Sequence, residues 1–429
     1  MELDKSKLVN VKQRNLDELG NIYLYDGTYI RIIKKAKSNY LKKLFASGLI
    51  DRLVSEGLMS PVKMSELTCD GLEVVESITT EPYQEPRWWT FEMHKAAALL
   101  VLKVNRICME YGYELMDCHQ KNIMFRGTVP VYVDLGSIAR VSPDYTWRGR
   151  DEFLKFRLFK LALWNGGFRS VAVCINSFLI LDYEEIERLY EMLPSNRMDL
   201  VRKVPHGNEE NLKDMRELEE IVSNLSESDV RFWSDYQDIF WGNKPQQRFI
   251  NELEWIKAHP DIRSMTDLGC NQGFFSYLAV TETQVERVTA IDYDKEALDK
   301  LFTRLGQDER VADKILPLGF NFVLEDTSII GKLRNDLLVA NAFLHHMIIR
   351  EKMTMDNILD KFCAMTEKYL IVEFMPRGMA DAGRLPEFYS QDWFTEQIAK
   401  RFDIEKVEEG SFGRVQIYAT KKEENLWTR

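Results

Sequence analysis

The spacing of apolar residues changes near the middle of the chain. In the first half, residues 21–25 and 28–33 alternate between apolar and polar positions on either side of Asp26-Gly27, which predicts a β-hairpin with a tight turn. From Thr90 to Tyr111 the apolar residues recur at helical spacing, which predicts a long helix. Beyond Asn251, apolar runs alternate with helical stretches, which predicts a mainly parallel sheet with helices on both faces.

The same periods predict further elements in both halves. In the first half we predict strands at Leu72–Ile78, Ile123–Phe125 and Val131–Val133, and helices at Asn39–Ser47, Leu49–Glu56, Asp151–Trp164 and Tyr183–Met192. In the second half we predict strands at Met265–Leu268, Arg287–Ile291, Leu316–Asn321, Leu337–Ala340, Tyr369–Phe374 and Val415–Thr420. A charged, helix-prone stretch between the halves indicates a solvated connector. The chain is thus divided into a first domain at residues 1–205, a helical connector at 206–250 and an α/β domain at 251–429.

Composition limits the classes of partner. Lys and Arg total 57 against 68 Asp and Glu, which gives a formal net charge of −11. Because clustered cations are needed to bind phosphate backbones, we do not expect this acidic chain to bind bulk nucleic acid. Six scattered cysteines without a C-x-x-C pair favour reduced thiols in the cytoplasm over a zinc site or a disulfide framework. We expect neither a signal peptide nor a transmembrane segment.

The clearest chemical motif lies where the first strand of the second half gives way to a helix. Its spine is Asp267-x-Gly269-x-Asn271-x-Gly273, and the glycines allow a tight turn and a close approach to a ligand. Asp292 ends the next predicted strand, where a carboxylate can accept hydrogen bonds from two ribose hydroxyls. The loop has neither the G-x-G-x-x-G spacing nor the Walker pattern, so NAD and ATP fit it poorly.

This loop resembles motif I of class I S-adenosylmethionine-dependent methyltransferases, in which the first strand ends in Asp-x-Gly-x-(Gly/Asn)-x-Gly. The resemblance implies that the methionine part of the cofactor is surrounded by Asp267, Gly269, Asn271 and Gly273. It also implies that Asp292 binds the ribose and that Asn321, after the third strand, contacts the adenine, although many relatives have Asp there. Asn341, after the fourth strand, is a further candidate for cofactor binding.

The resemblance extends over residues 244–420. The string ANAFLHHMIIREKMTMDNIL, followed by YLIVEFMP, is similar to bacterial methyltransferases of the nodulation-protein and surface-polysaccharide kind. This similarity implies an acceptor oxygen on a surface glycan or on its lipid-linked or nucleotide-linked precursor. It also implies a cytoplasmic enzyme that reaches the inner membrane only through a partner, such as a glycosyltransferase.

Three residues after the fourth and fifth strands are catalytic candidates. His345 or His346 could take the proton of an attacking hydroxyl, and Glu373 could orient that imidazole or the substrate. Adjacent residues on a helix diverge by about 100°, so we expect only one histidine to face the cofactor. The alternative is that the histidines only pack and cap, because methyl transfer depends mainly on in-line placement of the reactants.

A second constellation lies in the first domain. Asp117 and Asn122 have the D-x₄-N spacing of a protein-kinase-like catalytic loop, and Asp134 follows in a DFG-type position. This resemblance implies a kinase-like α+β domain in which Asn122 and Asp134 hold Mg²⁺ against the phosphates of ATP. Leu115 replaces the usual histidine of the loop, and Arg31 stands where the family has a phosphate-binding lysine.

Two interpretations of the first domain stay open. One is a bifunctional enzyme that phosphorylates its acceptor before methylating it, and the other is a degenerate domain that binds the acceptor or recruits a partner. Trp88, Trp89 and Trp147 also have two interpretations, as platforms for sugar rings or as core residues. The predicted fold class is α/β, with a Rossmann-like methyltransferase sheet preceded by the kinase-like domain.

Overall fold

The computed structural model describes residues 1–11, 18–78, 81–143, 146–175, 184–185, 188, 191–192, 207–227, 237–378, 385–410 and 413–423. Its internal contacts divide the chain into two compact units. The N-terminal unit contains Met1–Glu81, Met93–Phe125 and Pro130–Asp229, and the C-terminal unit contains Pro82–Glu92, Arg126–Val129 and Val230–Arg429. Two short segments of the first half therefore belong to the C-terminal unit, which no sequence pattern predicted.

The N-terminal unit opens with a five-stranded antiparallel sheet in the order β1-β2-β3-β5-β4. Its strands are β1 Val9–Asn10, β2 Gly20–Tyr25, β3 Thr28–Ile33, β4 Val62–Cys69 and β5 Leu72–Ser77, with helices α1 Ser38–Ala46 and α2 Leu49–Ser55 between β3 and β4. The predicted hairpin is confirmed, because Asp26 and Gly27 join β2 to β3 with positive φ angles of 47° and 82°. Strand β4 was not predicted, since it lies at an edge and most of its side chains are only half-buried.

A long helix, α3 Phe91–Glu110, is followed by two small strand pairs. Strands β6 Tyr113–Leu115 and β9 Ile138–Arg140 pair with each other, as do β7 Ile123–Arg126 and β8 Val129–Tyr132. Asp117 and Asn122 therefore lie between β6 and β7, and Asp134 lies between β8 and β9. Among the described residues, the further helices of this unit are α4 Arg150–Phe153, α5 Phe159–Asn165, α6 Arg169–Cys174 and α7 Asn208–Asn224, with a π-helical turn at Leu154–Leu158.

Helix α7 occupies part of the stretch that was predicted to be a solvated connector. One face of this helix is buried, so the prediction of a solvated stretch is wrong for that face. Met215, Leu218 and Val222 recur at helical spacing and are buried. Asp214 beside them accepts hydrogen bonds of 2.8 and 2.9 Å from the buried guanidinium of Arg150. The helix predicted at Tyr183–Met192 lies mostly outside the described residues.

The C-terminal unit is built on a seven-stranded sheet in the order β12-β11-β10-β13-β14-β16-β15. The strands are β10 Ser264–Leu268, β11 Arg287–Asp292, β12 Ile315–Gly319, β13 Asn335–Ala340, β14 Thr366–Phe374, β15 Phe402–Glu409 and β16 Val415–Lys421. The helices are α8 Gln247–Ala258, α9 Phe274–Glu282, α10 Lys295–Gly306, α11 Thr327–Ile330, α12 Met355–Met365 and α13 Gln391–Ile398, with a π-helical turn at His346–Arg350. All six predicted strands are present. Strand β15 was missed because it is a mostly exposed edge strand rich in charge.

The topology of this sheet determines where a ligand can bind. Strands β10 to β14 are parallel, and only β16 and β15 run antiparallel to their neighbours. From β10 the chain passes to β11 and β12 on one side, then returns to β13 and β14 on the other. In open α/β sheets this reversal leaves a crevice at the carboxyl ends of the two central strands. Every residue of β10 and β12 is buried, so the sheet is a rigid base for the loops above it.

No helix among the described residues is long and apolar enough to cross a membrane.

Candidate functional site

The loop after β10 owes its shape to three positive φ angles. Gly269, Asn271 and Gly273 have φ values of 78°, 52° and 66°. A Cβ atom at Gly269 would lie 2.9 Å from Cδ2 of Phe343, and one at Gly273 would lie 2.5 Å from Cδ2 of Leu301. Glycine is therefore required at both positions by backbone conformation and by space. The turn closes where the Gly273 N–H donates to the Cys270 carbonyl, and α9 begins at the next residue.

Asp267 lies beneath this loop. It is 3% exposed, and its carboxylate accepts a 2.6 Å hydrogen bond from the Ser276 hydroxyl on α9. Burial raises the pKa of Asp267 to about 6, although the bond from Ser276 opposes that rise. The structure thus places Asp267 where it joins the end of β10 to the first turns of α9.

Asp292 at the end of β11 is brought against the same loop. Its two oxygens accept backbone N–H bonds of 2.7 Å from Asn271 and 2.8 Å from Asp294. Burial raises the pKa of Asp292 to about 6, and these N–H bonds oppose the rise. A carboxylate has about four lone-pair positions, so Asp292 keeps the capacity to accept two further hydrogen bonds from a ligand.

Asn321 and Asn341 lie at the carboxyl ends of β12 and β13 and have different surroundings. The side-chain oxygen of Asn321 accepts a 2.9 Å bond from the Val323 N–H and so shapes the loop after β12. The amide nitrogen of Asn341 donates to Glu252 at 2.8 Å, while its side-chain oxygen is buried without a hydrogen-bond partner. Asn341 therefore retains an acceptor close to the central crevice.

Glu373, which ends β14, has partners that the sequence did not predict. Its carboxylate accepts bonds of 3.1–3.2 Å from Arg248 on α8, of 3.1 and 3.4 Å from Arg414 before β16, and of 3.0 Å from the Ala342 N–H. Among the described contacts none joins Glu373 to His345, one of the two imidazoles that it was expected to orient as an alternative to orienting the substrate. The side chain instead connects α8, the residue before β16 and the loop after β13.

Glu252 is a functional-site candidate that sequence reasoning missed. It is fully buried on α8, and it accepts hydrogen bonds from the side-chain amides of Asn341 and Gln416. Burial raises the pKa of Glu252 to about 8, and the nearby charge of Glu373 adds to that rise. Its spacing in the sequence could have indicated this burial. Glu252 follows Phe249 by three residues and precedes Ile256 by four, so it shares a helix face with these two buried side chains.

The two histidines lie after β13 with ring centroids 4.1 Å apart. His345 is 5% exposed and its Nδ1 atom is buried without a hydrogen-bond partner, whereas His346 is half-buried. Burial, His346 and Arg414 together lower the pKa of His345 to about 3. His345 is therefore neutral throughout the physiological range, and the fall in rate near pH 6.5 expected for an unperturbed histidine base does not follow for it.

The four residues that the sequence compared with a kinase site form two pairs in the N-terminal unit, Arg31 with Asp134 and Asp117 with Asn122. Nη2 of the buried Arg31 lies 2.9 Å from Oδ1 of Asp134. This ion pair engages the carboxylate that a kinase would use to bind Mg²⁺. Asp117 accepts a 2.8 Å bond from the His119 N–H, and the Asn122 amide donates to the Asp117 carbonyl at 3.2 Å. Within the described ranges no group of three or more His, Cys, Asp or Glu side chains could hold a metal ion.

The tryptophans proposed as sugar platforms are core residues. Trp88, Trp89 and Trp147 are at most 2% exposed. Their indole N–H groups donate to Glu325, to Gln84 and to the Leu115 carbonyl. The interpretation as a carbohydrate platform is therefore wrong.

Comparison with known proteins gives one curated relative and many solved structures. No family model matches the chain. Nodulation protein NoeA of Rhizobium meliloti (strain 1021) is 23% identical over 409 residues, which cover 84% of each chain. Similar solved structures include magnesium protoporphyrin IX methyltransferase from Synechocystis PCC 6803 with bound S-adenosylhomocysteine, at 13% identity and a TM-score of 0.33 over 46% of this chain and 90% of that one. Another is a SAM-dependent methyltransferase from Aquifex aeolicus, at 14% identity and a TM-score of 0.31 over 43% and 98%. The C-terminal unit has an α/β fold with a seven-stranded, mainly parallel sheet.

Proposed function

We propose that the chain is an S-adenosylmethionine-dependent methyltransferase whose cofactor binds at the carboxyl edge of the sheet, between β10 and β13. The observation that carries this proposal is the juxtaposition of the Gly269–Gly273 loop with Asp292 at the point where the strand order reverses. The loop has no Cβ atoms at its two tightest positions, and Asp292 has acceptor capacity left for ribose hydroxyls. The solved methyltransferases that resemble this sheet support the same cofactor.

Each residue has a defined task in this proposal. Bound S-adenosylmethionine supplies an activated methyl group on its sulfonium. Asp292 would accept the ribose hydroxyls, Asn321 would face the adenine, and the loop between Gly269 and Gly273 would lie along the methionine part. The buried acceptor oxygen of Asn341 is suited to an ammonium group, because an ammonium has only donors to offer.

The bound cofactor would supply its methyl group to an acceptor oxygen by displacement, with S-adenosylhomocysteine as the leaving group. The acceptor then loses its proton. His345 is a poor acceptor for that proton, because its pKa is lowered to about 3 and its Nδ1 is buried, so the half-buried His346 is the better candidate. Glu373 acts indirectly, since it accepts a bond from the Ala342 N–H in the loop that carries the histidines and is itself held by Arg248 and Arg414.

We propose a glycan oxygen as the acceptor, on a surface polysaccharide or its precursor. The similarity of residues 244–420 to bacterial methyltransferases of the polysaccharide kind supports this class, as does the description of the relative as a nodulation protein. Action on such a precursor would be cytoplasmic and would bring the enzyme close to a glycosyltransferase.

Calorimetry with the full chain tests the cofactor. We expect both S-adenosylmethionine and S-adenosylhomocysteine to bind without added metal. Absence of heat with either ligand, at tens of micromolar protein and at two temperatures, would overturn the methyltransferase proposal. ATP without metal is the matched control, because the loop lacks the phosphate-binding patterns.

For the N-terminal unit we propose a kinase-like domain that does not transfer phosphate and that binds the acceptor or a partner. The Arg31–Asp134 ion pair supports this interpretation, since it neutralises the carboxylate that would manage Mg²⁺. The competing proposal is a bifunctional enzyme that first phosphorylates its acceptor. Equal methylation of an unphosphorylated acceptor with and without Mg-ATP would favour the first interpretation, and an absolute requirement for Mg-ATP would favour the second.

A further inference from the structure

We propose that Pro82–Glu92, called here the 82–92 segment, is a positioning element for the adenosine half of the cofactor. The segment precedes the methyltransferase sheet by about 170 residues in the chain, yet it belongs to the C-terminal unit. It holds the two loops that carry Asp292 and Asn321. This inference rests on the proposed function and adds residues to that site which no motif indicates.

The first anchor of the 82–92 segment is the loop after β12. Arg87 donates two bonds to the Glu325 carboxylate, at 2.9 and 2.7 Å, and the Trp88 indole N–H donates a third at 3.0 Å. Glu325 is 8% exposed, so these donors satisfy a carboxylate that has little access to water. The position of Glu325 therefore depends on the segment.

Packing strengthens this first anchor. The Trp88 ring lies 4.9 Å from the ring of Phe320, centroid to centroid, and Trp88 is 1% exposed. Phe320 directly precedes Asn321. On the other side of the loop, the Lys361 ammonium donates to the carbonyls of Phe322 and Glu325. The loop that carries Asn321, the residue proposed to face the adenine, is thus held by α12 and by the 82–92 segment.

The second anchor is the loop after β11. The ammonium of the buried Lys295 donates to the carbonyls of Arg87 and Trp89, each at 2.9 Å. Lys295 begins α10, three residues after Asp292. Its side chain also crosses the end of β12, because a Cβ atom at Gly319 would lie 2.6 Å from the Lys295 Cγ.

Glu92 adds a contact further along α10, since its backbone N–H donates to Asp299 at 2.9 Å. The 82–92 segment therefore touches α10 at its beginning and one turn later. Displacement of the segment would leave Lys295 without carbonyl acceptors and Glu325 without three donors. Buried charges are costly without such partners, so both loops would rearrange. The expected result is a loss of affinity for ligands that contain adenosine, in a protein that remains folded.

The test compares tryptophan variants of the full chain by calorimetry with two probes, S-adenosylhomocysteine and 5′-methylthioadenosine. The second probe lacks the amino-acid part. Trp88→Ala should weaken binding of both probes by the same factor, at least tenfold. Trp88→Phe, which keeps a ring against Phe320 but loses the bond to Glu325, should weaken it by about threefold.

The matched control is Trp255→Ala on α8, which removes a buried tryptophan packed against Tyr369 and Tyr418 in the same unit. It should lower the melting temperature without changing either dissociation constant. Dissociation constants within twofold of wild type for Trp88→Phe and Glu325→Gln, in folded proteins, would overturn the inference. A wild-type protein that binds neither probe would instead overturn the proposed function.

Discussion

Asp292 ends one strand and Asp134 follows another, and their different neighbours determine what each can do. Asp292 accepts only backbone N–H groups in its described contacts, so it keeps capacity for a ligand. Asp134 accepts one backbone N–H from Gly136 and is also paired with the buried guanidinium of Arg31. A carboxylate held by peptide groups is available to a ligand, whereas one neutralised by a built-in cation is not. The same residue type at a similar place therefore supports a binding site in one unit and not in the other.

Among the predicted changes, replacement of Asp292 should have the largest effect, and that effect is on the affinity for the cofactor product. Asp292→Ala removes an acceptor for ribose hydroxyls, so the affinity for S-adenosylhomocysteine should fall by about 1.5–3 kcal/mol, the usual value for hydrogen bonds to a charged group. Calorimetry measures the change, and Asp134→Ala is the control that should leave this affinity unaltered. A pair of variants with equal losses would show that the two carboxylates do not differ in the way proposed.

Glu252 extends the comparison to a fully buried carboxyl group of the C-terminal unit. The folded-state pKa of Glu252, about 8, lies above the ordinary value of 4.5. Its protonated form therefore contributes fully to the free energy of unfolding below about pH 4.5, and this contribution is lost as the pH rises through 8. At about 1.4 kcal/mol per pH unit, Glu252→Gln should gain about 2 kcal/mol over wild type between pH 6 and 8.

Thermal unfolding at several pH values measures the gain from Glu252→Gln. Glu254→Gln, an exposed change on the same helix, is the control and should show no such trend. An advantage of Glu252→Gln that does not vary with pH would mean that the gain comes from packing rather than from ionisation.

His345 should give a pH dependence of the opposite sign. Its folded-state pKa of about 3 lies below the ordinary 6.5, so the unfolded chain takes up the proton first and stability falls as the pH drops from about 6.5 towards 3. His345→Gln should remove this acid loss, by about 1.4 kcal/mol at pH 5.5. The melting temperatures of this variant and of His346→Gln at pH 7.5 and 5.5 test the assignment, which fails if both variants keep the wild-type slope.

The smallest effect is expected at the N-terminal ion pair. Asp134→Asn keeps hydrogen-bonding atoms near Arg31 but removes the negative charge, so stability should fall by less than about 1 kcal/mol because Asp134 is partly exposed to solvent. Methylation and the affinity for S-adenosylhomocysteine should be unchanged. A large loss of methyl transfer in this variant would link Asp134 to the reaction and contradict the proposed non-catalytic role.

The sequence predicted what depends on local pattern. Glycine spacing placed the loop after β10, and strand periodicity placed Asp292 beside it, since both signals lie within a few residues of the feature they describe. Pairings between distant residues were not predictable in this way. The Glu373 contacts to Arg248 and Arg414 span 125 and 41 residues, and a carboxylate at the end of a strand does not indicate which cations will reach it.

Burial was the second limit of the sequence. For Trp88 and Trp89 the sequence left an exposed platform open beside the more common core environment, because an aromatic pair without a periodic neighbourhood does not indicate its surroundings. Glu252 was visible only as one charge on an amphipathic helix, and its raised pKa follows from the depth at which the helix packs.

The contact between Arg87 and Glu325 also has a consequence for biosynthesis. The two residues are 238 positions apart. At about 5–20 residues per second, a ribosome needs roughly 12–48 seconds to extend the nascent chain from one to the other. During that interval Trp88 has emerged without Phe320 and Glu325, which it contacts in the folded protein. The newly made chain therefore carries an uncovered indole until residue 325 is made, and faster elongation or chaperone binding near residue 88 should increase the yield of folded protein.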